Sequence, residues 1–253
     1  MTVFSRNLCA LLCALSWAVP PAGAEPLRAS AAADGETVIL ADGSALRLAA
    51  VRVPSGEAGA GREAALAEAA RAELDAMVQD RTILLDGPAR FDRHGRRVAL
   101  ARFEDGAVLP FALLSAGLVR VEVPKEAAEG LEALYAAEAA ARSAGRGFWG
   151  RPEFAVLDAA AIPAERRGGF AIVEGRAVEA AEQAGRGYLN FGPDWKADFT
   201  VTAAPQDLRE IKRTGVDWAQ YAGRTLRVRG WLEDYNGPMI EIGSAAAIEV
   251  LDE

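Results

Sequence analysis

Cysteine is almost missing. The 253 residues contain two, Cys9 and Cys13, and both fall in an N-terminal stretch that reads as a removable leader. The chain that remains has no disulfide, no thiolate nucleophile and no cysteine-based zinc site. Outside the cytoplasm its fold must rest on the core alone. Lysine is nearly as scarce: Lys125, Lys196 and Lys212 are the three, so arginine carries almost all the positive charge. Histidine occurs once, as His94. Positive charge is also in deficit, with 28 basic against 36 acidic residues and a net charge of −8. That balance opposes loose attraction to nucleic acid or anionic lipid, so any polyanion site must be a local cluster of arginines. No apolar run is long enough to stay in a bilayer as a helix, which takes about 20 residues.

What is present begins with Arg6, an apolar run from Leu8 to Val19, then Pro20, Pro21 and Ala22-Gly23-Ala24. Positive, apolar, then A-x-A is the pattern of a cleavable signal peptide over 1–24. It implies export to the periplasm or the extracellular space, with no integral span after cleavage. Removing Arg6 leaves 27 basic and 36 acidic residues, net −9.

Residues 25–33 are small and featureless and read as a linker. Thr37 onward reads as a hairpin: T-V-I-L-A, Asp42-Gly43, then an apolar run ending at Pro54. A helix is expected over 62–78 and strands over 82–85 and 98–103, either side of a polar turn at 91–97. A short helix at 109–116, a strand at 118–123 and a long helix at 125–144 complete this half. In the long helix Leu131, Leu134, Tyr135 and Glu138 are spaced by three and four. Residues 151–168 read as an inter-domain linker. Beyond 169 the pattern is mostly strand: 171–182, 188–191, 199–203, 225–233, 239–242 and 248–251, with a helix over 205–222 weakened by Gly215. Five strands with one helix before the fourth suggest a small OB-like barrel over 169–253.

The first half carries a specific order of motifs. They are Asp34-Gly35-Glu36-Thr37, Leu46-Arg47-Leu48 with Val51 and Pro54, and Asp92-Arg93-His94-Gly95-Arg96. Leu113-Leu114 with Gly117-Leu118-Val119 follows, then Glu138 through Arg142 to Gly147-Phe148-Trp149. In that order they resemble the staphylococcal nuclease (thermonuclease) family over residues 34–150. The resemblance implies an α+β, mostly β fold: an OB-type five-stranded barrel with three helices. It also implies calcium-dependent hydrolysis of DNA and RNA, with two carboxylates and a backbone carbonyl on the ion, a glutamate that positions water, and two arginines on the phosphate.

Carried onto this chain, the resemblance makes Arg47 and Arg96 the phosphate-gripping pair. Glu36 stands at the first calcium carboxylate, with Asp34 beside it as a weak second ligand. Arg52 stands where the second calcium carboxylate belongs, and Ser55 where the glutamate belongs; Val53 retains a carbonyl. A charge pair at ~4 Å and an effective dielectric near 20 is worth about 4 kcal/mol. A divalent ion doubles that, and reversing the ligand's sign doubles the change again. The ordinary calcium site is therefore expected to be absent. Arg47, Arg52 and Arg96 are left as a metal-free phosphate pocket, provided a bulge turns Arg47 and Arg52 to one side, since strand alternation alone would separate them. Otherwise Arg47 pairs with Asp34, Glu36 or Asp92. His94 reads as a turn residue rather than a general base.

In the second half Arg227, Arg229 and Trp231 share one strand face, which suits single-stranded nucleic acid. Tyr188, Phe191, Trp195 and Tyr235 are further aromatic platform candidates. The region is acidic, which favours a solvated face or a protein-facing interface instead. Three readings stay open. One is an exported thermonuclease-family protein with a degraded catalytic set, binding nucleic acid or another phosphate-bearing ligand with weak or no cleavage. The second is an active calcium-dependent phosphodiesterase with Arg47, Arg96 and Glu36 as its catalytic residues. The third is a non-catalytic protein-binding component of the cell envelope.

Overall fold

The computed structural model describes residues 26–54, 60–124, 130–194 and 196–252. The leader expected at 1–24 lies outside them, as do Ser55, Lys125 and Trp195. Leu27–Asp34 (β1), Thr37–Leu40 (β2) and Ala45–Leu48 (β3) form a meander, from which Val51–Arg52 (β4) departs. Ala60–Val78 (α1), Thr82–Phe91 (β5), Arg97–Phe103 (β6), Leu109–Ser115 (α2), Arg120–Val121 (β7) and Leu131–Ser143 (α3) follow. Five strands close in the order β1-β2-β3-β6-β5. β3 and β6 run parallel and the other neighbours antiparallel.

The supposed linker at 25–33 is thus largely a barrel strand. Its small residues have a use: Ala29 and Ala32 are buried, and α1 lies close over them. The Ala32 amide donates to Asp75 Oδ1 on that helix at 2.8 Å. Leu66, Ala70, Leu74 and Val78 recur at every fourth position of α1 and are all buried, which is the helical stripe that must face a core. At the β1–β2 turn a Cβ on Gly35 would lie 2.5 Å from the Ala70 side chain, so only glycine permits that approach. Gly117 and Gly147 meet in the same way. A Cβ on either would come within 2.2 Å of the other segment's backbone oxygen, and this crossing fixes the end of α3 against the loop that leads into β7.

Leu157–Asp158 (β8) opens the second half. Gly169–Arg176 (β9), Glu179–Gln183 (β10), Arg186–Asn190 (β11), Thr200–Ala203 (β12), Pro205–Arg213 (α4), Thr225–Asp234 (β13), Pro238–Glu241 (β14) and Ile248–Val250 (β15) follow. The sheet order is β10-β11-β12-β14-β13-β9-β8, with β15 on β13. This is an open path of strand pairing, where the sequence suggests a barrel. β10 at one end and β9, next to the other end, are nonetheless consecutive in the chain. The expected single strand 171–182 bends at Ala177-Val178, whose amides bond Arg224 on one side and Asn190 on the other. Order, parallel β12–β14 pairing and the helix before β13 repeat the plan of the first half. The helix expected to run to 222 stops at Arg213, where Gly215 takes φ +88° and a 3-10 turn at Trp218–Tyr221 replaces it.

The stretch 151–168 is no free tether either. Phe154 is fully buried, and β8 pairs with β9. Phe148, Trp149, Phe154 and Ala141 form one cluster with Ile172 of β9. Arg120 of β7 donates to the carbonyls of Phe154 and Phe170 at 3.1 and 3.2 Å. The deepest link is ionic. Glu138 of α3 and Arg229 of β13, each with a side chain 1% exposed, meet at 2.7 Å. Glu138's other oxygen accepts the Val121 amide at 2.7 Å. Arg229 also bonds Glu249 and lies 4.3 Å from the Tyr135 ring. Burial opposes the Arg229 charge, but Glu138, Tyr135 and Glu249 outweigh it and raise its pKa. Burial pushes the Tyr135 hydroxyl up to about 12, so it stays a neutral donor to the Ala246 carbonyl. No described helix is long and apolar enough to cross a membrane.

Removing one partner of a buried pair leaves the other charged and desolvated. Glu138→Ala is expected to lower unfolding stability by about 3–5 kcal/mol in urea titration, and Glu138→Leu with Arg229→Met to recover most of that. Equal losses in the single and the double variant would show that the pair is not what sets the cost.

Candidate functional site

The site forms where the chain leaves the barrel. After β3, Ala49-Ala50 makes a turn with Ala50 at φ +63°, an uncommon conformation for a residue with a side chain. β4 then pairs with β7, Val51 opposite Val121 and Arg52 opposite Arg120. The turn does what a bulge would: it brings Arg47 and Arg52, five residues apart, to one carboxylate. That carboxylate is Glu122. Arg47 Nη2 donates to its Oε2 at 2.7 Å, and Arg52 Nε and Nη2 donate to its Oε1 at 3.0 and 2.5 Å.

Glu36 completes the cluster. Its Oε1 accepts from Arg47 Nε at 3.1 Å and its Oε2 from the Val53 amide at 3.0 Å. All four side chains are partly buried, 14% exposed at Arg47 and 23% at Arg52. Two guanidiniums and two carboxylates leave the cluster without net charge. Burial works against Arg47's charge, yet Glu36 and Glu122 keep its pKa above the ordinary arginine value. Arg47 and Arg52 converge on an internal anion, and Arg47 also makes the pairing with Glu36 that the sequence left as the alternative. Glu122 was missed because nothing in the sequence tells that β7 returns to β4.

Arg96 sits one strand away. Its Nε pairs with Asp92 Oδ2 at 2.7 Å and its Nη1 donates to Thr37 Oγ1 at 3.2 Å. Thr37 faces Arg47 across the β2–β3 ladder. Slight burial would raise the Asp92 carboxyl, but hydrogen bonds from the Arg96 side chain and from the Arg96 and His94 amides hold it down at about 2. Asp34 Oδ1 accepts the Glu36 amide at 2.8 Å and shapes the turn. His94 is exposed, with its amide bonded to Asp92 and its ring to Arg93, which is a turn role.

The second predicted face divides. Trp231, 44% exposed, has the Arg52 guanidinium 4.9 Å from its ring centre and the edge of Phe170 behind it. Arg229 is buried against Glu138, and Arg227 pairs with Glu174 at 2.6 Å and Glu249 at 3.3 Å. The strand alternation is real, but Arg229 is buried against α3 and Arg227 is held by two carboxylates, so neither presents a free guanidinium on an open face.

Residues 45–151 match the family described as Staphylococcal nuclease homologue. The chain carries a staphylococcal nuclease homologue domain. No curated protein matches the chain. The matched segment begins at β3, and β1 and β2, with Glu36, complete its OB-type α+β fold. The family's calcium does not fit the residues this domain presents. The ion takes six to eight oxygens, whereas both oxygens of Glu36 and both of Glu122 already accept from donors, and Arg52 brings a positive charge into the donor set.

Two outcomes follow. Calorimetric titration with calcium should give no saturable heat in the micromolar range; such binding, abolished by Glu36→Ala, would refute the misfit. The Asp92 carboxyl should titrate near 2 by NMR. Because its pKa is lowered on folding, its stabilising contribution is present above the unfolded value of 3.8 and is lost as pH falls through about 2. Arg96→Ala should return it toward the ordinary carboxylate range; an unmoved Asp92 would show that Arg96 is not the cause.

Proposed function

We propose that this is an exported nuclease-family protein that binds single-stranded nucleic acid, or another phosphate-bearing ligand, without cutting it. The observation that carries the reading is the convergence of Arg47 and Arg52 on Glu122, with Trp231 stacked beside Arg52. A phosphate oxygen matches the guanidinium fork as a carboxylate does, and an exposed indole next to it offers a base a stacking surface. Glu122 then acts as a built-in competitor that a phosphate must displace, which keeps affinity low and salt-sensitive. Cleavage also requires a group that activates water and a charge that stabilises the phosphoryl oxygens. Arg52 supplies neither, and the two oxygens of Glu36 already accept from Arg47 and the Val53 amide. Export rests on the leader pattern at 1–24.

The protein is incubated with a single-stranded oligo-dT in calcium or in chelator, and both retention and cutting are measured. Retention without cutting is expected, weakening as salt rises. Glu122→Gln keeps the shape and removes the competing charge, and should tighten retention about tenfold, the equivalent of ~1.4 kcal/mol. Calcium-dependent cutting lost in Arg96→Ala would instead establish an active phosphodiesterase. Neither retention nor cutting, in wild type and Glu122→Gln alike, would reject the nucleic-acid reading.

A further inference from the structure

The second sheet has a face that the nuclease-homologue domain does not use. Leu189, Val201, Leu232 and Ile240 point to one side of β11, β12, β13 and β14 and are fully buried. Their neighbours point to the other side and line a concavity of about 670 Å³. The register brings these neighbours together: Tyr188 opposite Thr202, Asn190 opposite Thr200, Thr202 opposite Glu241 and Glu233 opposite Met239. Tyr235, 68% exposed, stands at the rim. A sheet face turned to water needs only scattered charges to stay soluble. This one is instead a hollow lined by hydroxyls, amides and two phenol rings.

We propose that this hollow binds a neutral oligosaccharide. Sugar hydroxyls donate and accept at once, and the lining matches that: Asn190, Gln183, Thr200 and the two tyrosines each do both. Tyr188 and Tyr235 add apolar ring faces for the C–H surface of a pyranose. The charges argue against the other occupants. Arg186, the one cation of the lining, is already bonded to Glu241 and, at 3.2 Å, to Thr202. With Glu233 the lining sums to one negative charge, which repels a phosphate backbone. A peptide finds β11, β12 and β14, which form most of the floor, paired on both sides, so strand addition is closed to it along these three strands. A cationic side chain would find one uncompensated carboxylate, Glu233, at an exposed position.

Isotope-labelled protein is titrated with maltotetraose and with tri-N-acetylchitotriose, with trilysine and oligo-dT as comparisons. At least one sugar is expected to shift amide resonances along β11, β12 and β14. Tyr235→Ala, at an exposed position, should weaken binding about tenfold with the thermal transition unchanged, and Asn190→Ala should weaken it as well. The proposal falls if neither sugar moves those strands at millimolar concentration. It also falls if oligo-dT or trilysine moves them more strongly, or if both substitutions leave the affinity unchanged.

Discussion

A single buried ion pair ties the molecule together. Glu138 and Arg229 come from opposite halves of the chain, and each has a side chain 1% exposed. Two charges in such a place stabilise only if every remaining lone pair and proton finds a partner. Here most of them do, through groups that matter elsewhere, while the Arg229 Nε stays without a hydrogen-bond partner among the described residues. Glu138's second oxygen holds the Val121 amide, and Arg229's second amino group reaches Glu249. The two halves, each with its own hydrophobic cluster, are therefore joined by buried contacts as well as by the chain between them.

The same pair sets the geometry of the arginine cluster. Val121 lies in β7, with Arg120 on one side and Glu122 on the other. Fixing the Val121 amide fixes the direction of both. Arg120 turns inward to the carbonyls of Phe154 and Phe170, and Glu122 turns toward Arg47 and Arg52. With one carboxylate between two guanidiniums, each arginine neutralises part of the charge that the other would otherwise leave exposed. Arg52 brings its positive charge to the position where the resemblance expects a calcium carboxylate, and Glu122 balances that charge. The proposed misfit to the family's metal and the half-buried cluster thus rest on the same residue.

Sequence patterns showed some of this and not the rest, for physical reasons. Local chemistry was legible. Asp42-Gly43 marks the hairpin, Gly117 and Gly147 mark a backbone crossing that admits no side chain, and Glu138 falls on the apolar stripe of α3. What covers a face was not legible. Period-two spacing put Arg227, Arg229 and Trp231 on one side of β13, yet Arg229 is buried against α3, Arg227 is held by Glu174 and Glu249, and Trp231 reaches Arg52. Small residues misled in the opposite direction. Ala29 and Ala32 look like a linker because they carry no pattern, but it is their small size that lets α1 lie on β1. The meeting of Arg47 and Arg52 turns on Ala50 at φ +63°, a backbone state that alanine's identity does not announce.

The boundary between the arginine cluster and the concave face is electrostatic. Glu241 lines both the large hollow and the small cleft beside Glu122 and Trp231. It is bound to Arg186, the one cation lining the hollow, so the two charges compensate each other. On the proposed reading, a polyanion seated at Arg47 and Arg52 then meets the carboxylate of Glu233 as it advances along the sheet, and that repulsion keeps anionic ligands to the Trp231 side and leaves the hydroxyl-lined face to neutral ones. The acidic balance of the chain and the carboxylate partners of its arginines are consistent with the same proposed division, with phosphate admitted at one point and kept from the surface next to it.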